Sequence, residues 1–172
     1  MDYILQLRQF IGHRPILMVG AAILVVDEHN RLLLMKRSDS GCWGPPGGSV
    51  EPGERVEAAA KRETLEETGL EIGEMELFGV FSGPELYYKY PNGDEVYNVI
   101  VVYISRDFKR TQNGYGAGDP RQTAGQTETD VQINEEHTEF YWFTVDEEIP
   151  EDISPPIKPV IKKFIQDYMN IQ

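Results

Sequence analysis

Glu63, Glu66 and Glu67 are the residues with the plainest chemical potential in this chain, falling at i, i+3 and i+4 of the stretch RETLEETGL. On a helix those offsets place three carboxylates within about 100° of arc. Like charges so spaced repel by roughly a few tenths of a kcal/mol per pair, a cost that a bound divalent cation would turn into binding energy. Mg²⁺ prefers octahedral oxygen ligands and retains waters, so three carboxylates plus substrate phosphates suit it, with Mn²⁺ as a substitute. Arg62 lies one turn before Glu66 and can pair with it. Glu54, just before the helix or in its first turn, could ligate metal, bridge to Arg62 or serve only as a favourable charge at a helix N-terminus. Gly47 and Gly48, after Pro45-Pro46, let backbone approach a metal and a phosphate closely. A solvent-facing acidic helix is the ordinary meaning of a Glu-Glu pair. What displaces it is the joint spacing of Gly48, Glu54, Arg62, Glu63, Glu66, Glu67 and Gly69, which chance produces with a probability of the order of 10⁻⁹ per starting point.

The stretch GSVEPGERVEAAAKRETLEETGL resembles the Nudix box of the Nudix hydrolase superfamily, of the single-domain bacterial kind typified by MutT-like proteins and ADP-ribose pyrophosphatases. Every charged and glycine position matches, and the one departure is Thr64, where the pattern has Ile, Leu or Val. Thr64 is expected to affect packing beneath the helix more than metal binding. The resemblance implies an α/β/α sandwich around a central mixed β-sheet, and Mg²⁺-dependent hydrolysis of the pyrophosphate linkage of a nucleoside diphosphate derivative. It implies that Glu63, Glu66 and Glu67 bind metal with the Gly47 carbonyl as companion, and that Arg62 orients the box glutamates. It also implies an acidic base or extra ligand from a loop before the last strand, for which Glu128, Asp130, Glu135, Glu136 and Glu139 are candidates. Two substrate clues conflict. Pro84 stands near the proline spacing of ADP-ribose hydrolases, and Tyr88 near a tyrosine spacing of dinucleoside polyphosphate hydrolases. ADP-ribose or a nucleotide sugar is favoured. The alternatives are a MutT-like (oxidised) nucleoside triphosphate pyrophosphatase, a dinucleoside polyphosphate hydrolase, and a catalytically silent nucleotide sensor, which would be expected to lose box glutamates.

The box needs elements to hold it. Residues 2–12 read as a short amphipathic helix, Met18 to Val26 as a buried strand, and Arg31 to Arg37 as the strand returning from a turn. Ser38 to Gly53, half Gly and Pro, reads as an irregular loop. The box helix should start near Glu54 or Arg55 and stop at Gly69, with Leu65 and Ala58 packing on the sheet opposite Glu63. One or two strands follow in Leu70 to Ser82, then a hairpin of Leu86–Tyr90 and Val96–Ser105 around Asn92-Gly93. Residues 108–136 are polar and Gly-punctuated and read as a long mobile loop, of which 111–127 should be dispensable for folding. Phe140 to Val145 is a last strand, and residues 156–171 a closing amphipathic helix.

A chain of 172 residues with 40% hydrophobic content suits one folded domain, 1–172. The apolar run Ile16 to Val26 is too short to span a bilayer, no signal peptide is visible, and Cys42 is the single cysteine, which points to a reducing cytoplasm. A net charge of −13 argues against wrapping a nucleic-acid backbone but not against a small phosphate ligand held through a metal. The expected partner is thus a small nucleotide, with neither nucleic acid nor membrane; a homodimer stays open. Trp43 and Tyr88 could stack on a nucleobase, although packing is the commoner role of each. His13, His29 and His137 are scattered and support no histidine metal site or Ser-His-Asp triad.

Overall fold

The computed structural model describes residues 3–110, 131–144 and 150–169. Its elements in chain order are α1 (Tyr3–Ile11), β1 (Ile16–Val25), β2 (Leu32–Arg37), β3 (Trp43–Gly44), β4 (Gly47–Ser49), α2 (Val56–Thr68), β5 (Leu70–Ile72), β6 (Glu76–Phe81), β7 (Tyr87–Lys89), β8 (Glu95–Ser105), β9 (Phe108–Arg110), β10 (His137–Phe143) and α3 (Lys158–Met169). The central sheet runs β4-β1-β8-β6, with β7 also paired to β8. Only β1 and β8 are parallel; their neighbours are antiparallel, so the sheet is mixed. A second antiparallel sheet is β10-β2-β3, and β5 pairs with β9.

Alternation along β1 builds the layers. Ala22, Leu24 and Val26 face a core shared with Val160, Ile161 and Phe164 of α3. Ala21, Ile23 and Val25 face a second core shared with Ala59 and Ala60 of α2. Because β1 is buried on both faces over that stretch, it reads as a continuous apolar run rather than an alternating one. The result is the expected α/β/α sandwich with a mixed sheet. Each fully buried aliphatic or aromatic side chain contributes about 1.5–3 kcal/mol of hydrophobic stabilisation. Among the described residues no helix is long and apolar enough to cross a membrane.

Several expectations need revision. The first half of β1 is not buried: Leu17 is 73% exposed, because α2 covers only the end of the sheet nearer Val25. After the turn at Asp27, β2 meets β1 only through the Val26–Leu32 bridge and then joins the second sheet. Residues 38–53 are not wholly irregular, since Gly47–Ser49 pair with Gly20–Ala22 and Trp43–Gly44 with Met35–Lys36. Leu65 and Ala58 are exposed; α2 buries Ala59, Ala60, Thr64, Glu67 and Thr68 instead. The polar excursion is structured at both ends: Phe108–Arg110 pair with Leu70–Ile72, and Val131 joins the α2-side core. Residues 111–130, with the segment expected to be dispensable and the candidates Glu128 and Asp130, lie outside the described residues.

Candidate active site

Helix α2 aims its carboxylates inward because its small residues can sit flat on β1. Thr64 is fully buried, and its hydroxyl donates to the Ala60 carbonyl at 2.8 Å; a hydroxyl thus fits this packing face by bonding back within the helix. Gly69 closes the helix in the left-handed conformation, φ 71°, with its N–H on the Leu65 carbonyl. Two residues earlier on the buried side, Glu67 is only 5% exposed at its side chain.

Glu67 Oε2 accepts the Gly47 N–H at 2.8 Å, so the glycine reaches the box through its amide in this state. A side chain at either glycine would meet a close neighbour. A Cβ on Gly47 would stand 2.7 Å from the Ala22 Cα, and one on Gly48 would stand 2.5 Å from the Glu63 carboxylate carbon. Burial pushes the Glu67 carboxyl up to about 8, opposed by the Gly47 bond and reinforced by the charges of Glu63 and Glu136. Burial likewise raises Glu63, against the pull of Arg62. Glu66 is 58% exposed at its side chain.

Arg62 organises the outer side. Its Nε and Nη2 donate to Glu54 Oε1 and Oε2, both at 2.9 Å, and Nη1 donates to Glu63 Oε1 at 2.8 Å. Nη1 also reaches Glu66 Oε2 at 3.5 Å, and Nη2 the Ser49 carbonyl at 3.3 Å. Of the roles open to Glu54, the structure displays the bridge to Arg62, and that hydrogen bond lowers the Glu54 pKa. The planar fork of Arg62 therefore holds two carboxylates in place at once.

The segment after residue 130 is stitched to the end of α2, with the Gln132 N–H on the Thr68 carbonyl and the Asn134 N–H on the Glu67 carbonyl. This brings Glu136 into the cleft wall with Glu63, Glu66 and Glu67. Glu139 points elsewhere, pairing with Lys36 at 3.3 Å, and Glu135 is an exposed neighbour outside the cleft lining. Tyr88 lines the cleft. Trp43 does not: it packs against the α3-side core with Lys36 above its ring.

The cleft, about 780 Å³, also contains residues that sequence reasoning passed over. Arg37 and Asp39 form a two-bond pair at its rim, Nε to Oδ1 at 3.0 Å and Nη2 to Oδ2 at 2.8 Å. Asn98 lines it from β8. His137 packs with Nε2 3.8 Å from Glu67 Oε1, and burial together with the nearby Arg37 charge lowers its pKa to about 4. The imidazole is thus neutral at pH 7, and that contact is not an ion pair. The available signal was local: His137 directly follows Glu135-Glu136, and Arg37-x-Asp39 opens the Gly/Pro-rich segment.

Among the described residues no three acidic, histidine or cysteine groups stand close enough to hold a metal as they are. The donor chemistry nonetheless fits a hard cation. Glu63, Glu67 and Glu136 crowd one wall, all donors are oxygen, and the buried carboxyl of Glu67 is held partly protonated for want of a compensating positive charge.

Comparison with known proteins agrees with this geometry. The NUDIX domain family model matches residues 16–164. A Bacillus subtilis protein provisionally named an 8-oxo-dGTP diphosphatase is 46% identical over 66 residues, 38% of this chain and 44% of that protein. The ADP-ribose pyrophosphatase of Methanocaldococcus jannaschii is 40% identical over 83 residues, 46% of this chain and 47% of that enzyme. The chain thus matches less than half the length of these curated relatives. The crystal structure of the MutT NUDIX hydrolase from Burkholderia pseudomallei superposes with a TM-score of 0.61 and 27% identity, covering 87% of this chain and 97% of that one. With every charged and glycine position of the box present, the sandwich in place and the family match running over most of its length, this chain belongs to the NUDIX domain family.

Proposed function

We propose that the whole chain is a single Nudix domain that hydrolyses the pyrophosphate linkage of a nucleoside diphosphate derivative, ADP-ribose or a nucleotide sugar being the favoured substrate class. The observation that carries this reading is the Arg62 fork, which is braced by Glu54 and holds Glu63 in the same cleft as a buried, protonatable Glu67. A purely nucleotide-sensing domain has no need of such an arrangement. Glu63, Glu66 and Glu67 would hold Mg²⁺ or Mn²⁺, with the Gly47 carbonyl as a further oxygen. Bound there, the ion supplies charge for the phosphoryl oxygens and acidifies a water.

The chain's own residues do the rest. Arg62 keeps the outer carboxylates oriented. Glu136, the loop candidate that lines the cleft, takes the proton of the attacking water, with Glu63 as the other candidate base. Water adds across one P–O–P bond, giving a nucleoside monophosphate and a second phosphorylated product. Tyr88 flanks the distal part of the cleft, where a base or sugar would lie. The M. jannaschii relative's name supports ADP-ribose, and the B. subtilis relative's name supports the triphosphate alternative. The partner is a small nucleotide, the net charge of −13 opposes a nucleic-acid backbone, and the single cysteine suits a reducing cytoplasm.

The test is product analysis by chromatography across ADP-ribose, nucleotide sugars, dinucleoside polyphosphates and nucleoside triphosphates, with Mg²⁺, with Mn²⁺ and with chelator. Metal-dependent release of AMP from ADP-ribose is expected; release of pyrophosphate from triphosphates alone would establish the alternative.

A further inference from the structure

We infer that Asn98 reads the nucleobase of the substrate, accepting a hydrogen bond from the exocyclic amino group of adenine. This deepens the pyrophosphohydrolase reading and rests on it for the position of the phosphates. Asn98 lies on β8 in register with Met18 and is only 7% exposed. Its Nδ2 donates to the Leu86 carbonyl at 2.9 Å. A carbonyl can only accept, so that bond fixes which end of the amide is nitrogen and which is oxygen. Oδ1 receives no donor among the described residues, and the side chain lines the cleft. Oδ1 is therefore an acceptor open to the cleft, where a ligand N–H can take the place of water.

The surroundings suit a flat, weakly polar ring. Met18, Met35, Ile100, Pro156 and Ile157 line the same cleft, with Tyr88. The carboxylates mark the opposite end. Met18 lies beside Asn98, and Ala22 beside Gly47, whose amide meets Glu67. Four residues of β1 separate the two levels, about 13 Å at the rise of a strand. An extended nucleoside with its first phosphates spans such a length. Asparagine is a natural partner for the N6 amino edge of adenine, whereas a 6-oxo group would set its lone pairs against Oδ1.

The test compares AMP with IMP, in which an oxo group replaces the 6-amino group and N1 carries a proton, by titration calorimetry on the wild-type chain. AMP is expected to bind roughly tenfold more tightly, the worth of about one hydrogen bond. Asn98→Ala, checked for an unchanged circular dichroism spectrum, should bring the two affinities together by weakening AMP. Equal binding of AMP and IMP by the wild type would overturn the assignment without recourse to any variant. So would a preference that survives Asn98→Ala, or tighter binding of UMP than AMP, which would put a different edge at this acceptor. Turnover is then measured separately on ADP-ribose, its hypoxanthine counterpart and a base-free aryl diphosphate. Failure to cleave all three defeats the hydrolase reading while leaving the binding result for Asn98 intact. Cleavage of all three at one rate, with no base preference in binding, defeats Asn98 alone.

Discussion

Glu63 lies so close over Gly48 that a β-carbon built on the glycine would stand 2.5 Å from the carboxylate carbon. The glycine is therefore the floor on which a box carboxylate rests. Gly47, its neighbour, is hemmed in by backbone instead, with Ala22 Cα 2.7 Å from the same construction. A β-carbon would thus meet obstacles of different kinds at these two adjacent glycines. A flexible carboxylate can swing away, while a paired strand cannot.

Those two positions make a matched prediction. Gly48→Ala should fold with a loss of about 1 kcal/mol or less, yet lose activity by tenfold or more, because Glu63 is displaced. Gly47→Ala should lose about 2–3 kcal/mol through overpacking, lowering Tm by roughly 5–10 °C in a chain of this size. Thermal melts beside initial rates separate the two. Equal Tm losses would mean that Glu63 is as rigid as the strand.

Arg62→Lys should keep the fold and lose kcat by an order of magnitude. Lysine is a point charge on a flexible stem and cannot span Glu54 and Glu63 together. Half-saturation for Mg²⁺ should rise in the same variant, since the outer carboxylate is no longer fixed. Full activity at unchanged metal requirement would remove the orienting role from Arg62.

The raised pKa of Glu67, about 8 without metal, gives a pH dependence of definite sign. A carboxyl whose folded pKa exceeds its unfolded value binds an extra proton in the folded state. Its contribution is most favourable at low pH and is lost progressively as pH rises from about 4.5 to about 8. Taken alone, this group should weaken the metal-free chain over that window by an amount of the order of a few kcal/mol. Glu67→Gln should melt with the wild type near pH 5 and above it at pH 8.5, since glutamine keeps an acceptor for the Gly47 N–H without the charge. Cation affinity should climb with pH and level off near 8, because binding must expel the proton. His137 acts in the opposite sense: its folded pKa of about 4 lies below the ordinary 6.5, so its contribution improves as pH rises from about 4 to 6.5 and offsets Glu67 there, leaving the net weakening between about 6.5 and 8. A wild-type Tm that rises from pH 6.5 to 8 in chelator would contradict this.

What could be read in advance was local. Helix α2, its end at Gly69 and the reach of Arg62 to Glu66 one turn on follow from offsets of a few residues, where spacing alone dictates geometry. The face that α2 buries was not readable that way. Leu65 looked like the core residue, but the docking surface of β1 is set by Ala21 and by the glycines of β4, and it accepts Ala60 and Thr64. Val131 was hidden for the opposite reason, as a lone apolar residue after a long polar stretch. Asn98 and His137 carry no motif. They reach the cleft through β8 in parallel register with β1 and through the hydrogen bonds that tie residues 132–134 to α2.

The last prediction concerns the base, for which the resemblance left Glu128, Asp130, Glu135, Glu136 and Glu139 as candidates, the first two lying outside the described residues. The surroundings of the other three now differ. Glu136 lines the cleft, and its charge is felt at both Glu63 and Glu67. Glu139 is occupied by Lys36 on an exposed surface, and Glu135 stands outside the cleft lining. Glu136→Gln should reduce kcat by about two orders of magnitude, in the range of lost general-base catalysis, with little change in KM. Its pH–rate profile should also lose the limb that belongs to the base. Glu135→Gln and Glu139→Gln should stay within about twofold of the wild type. Removing the Glu136 charge should lower the Glu67 pKa as well, so metal binding in that variant should release fewer protons at pH 7. A full-rate Glu136→Gln enzyme with an unchanged pH profile would return the role of base to Glu63.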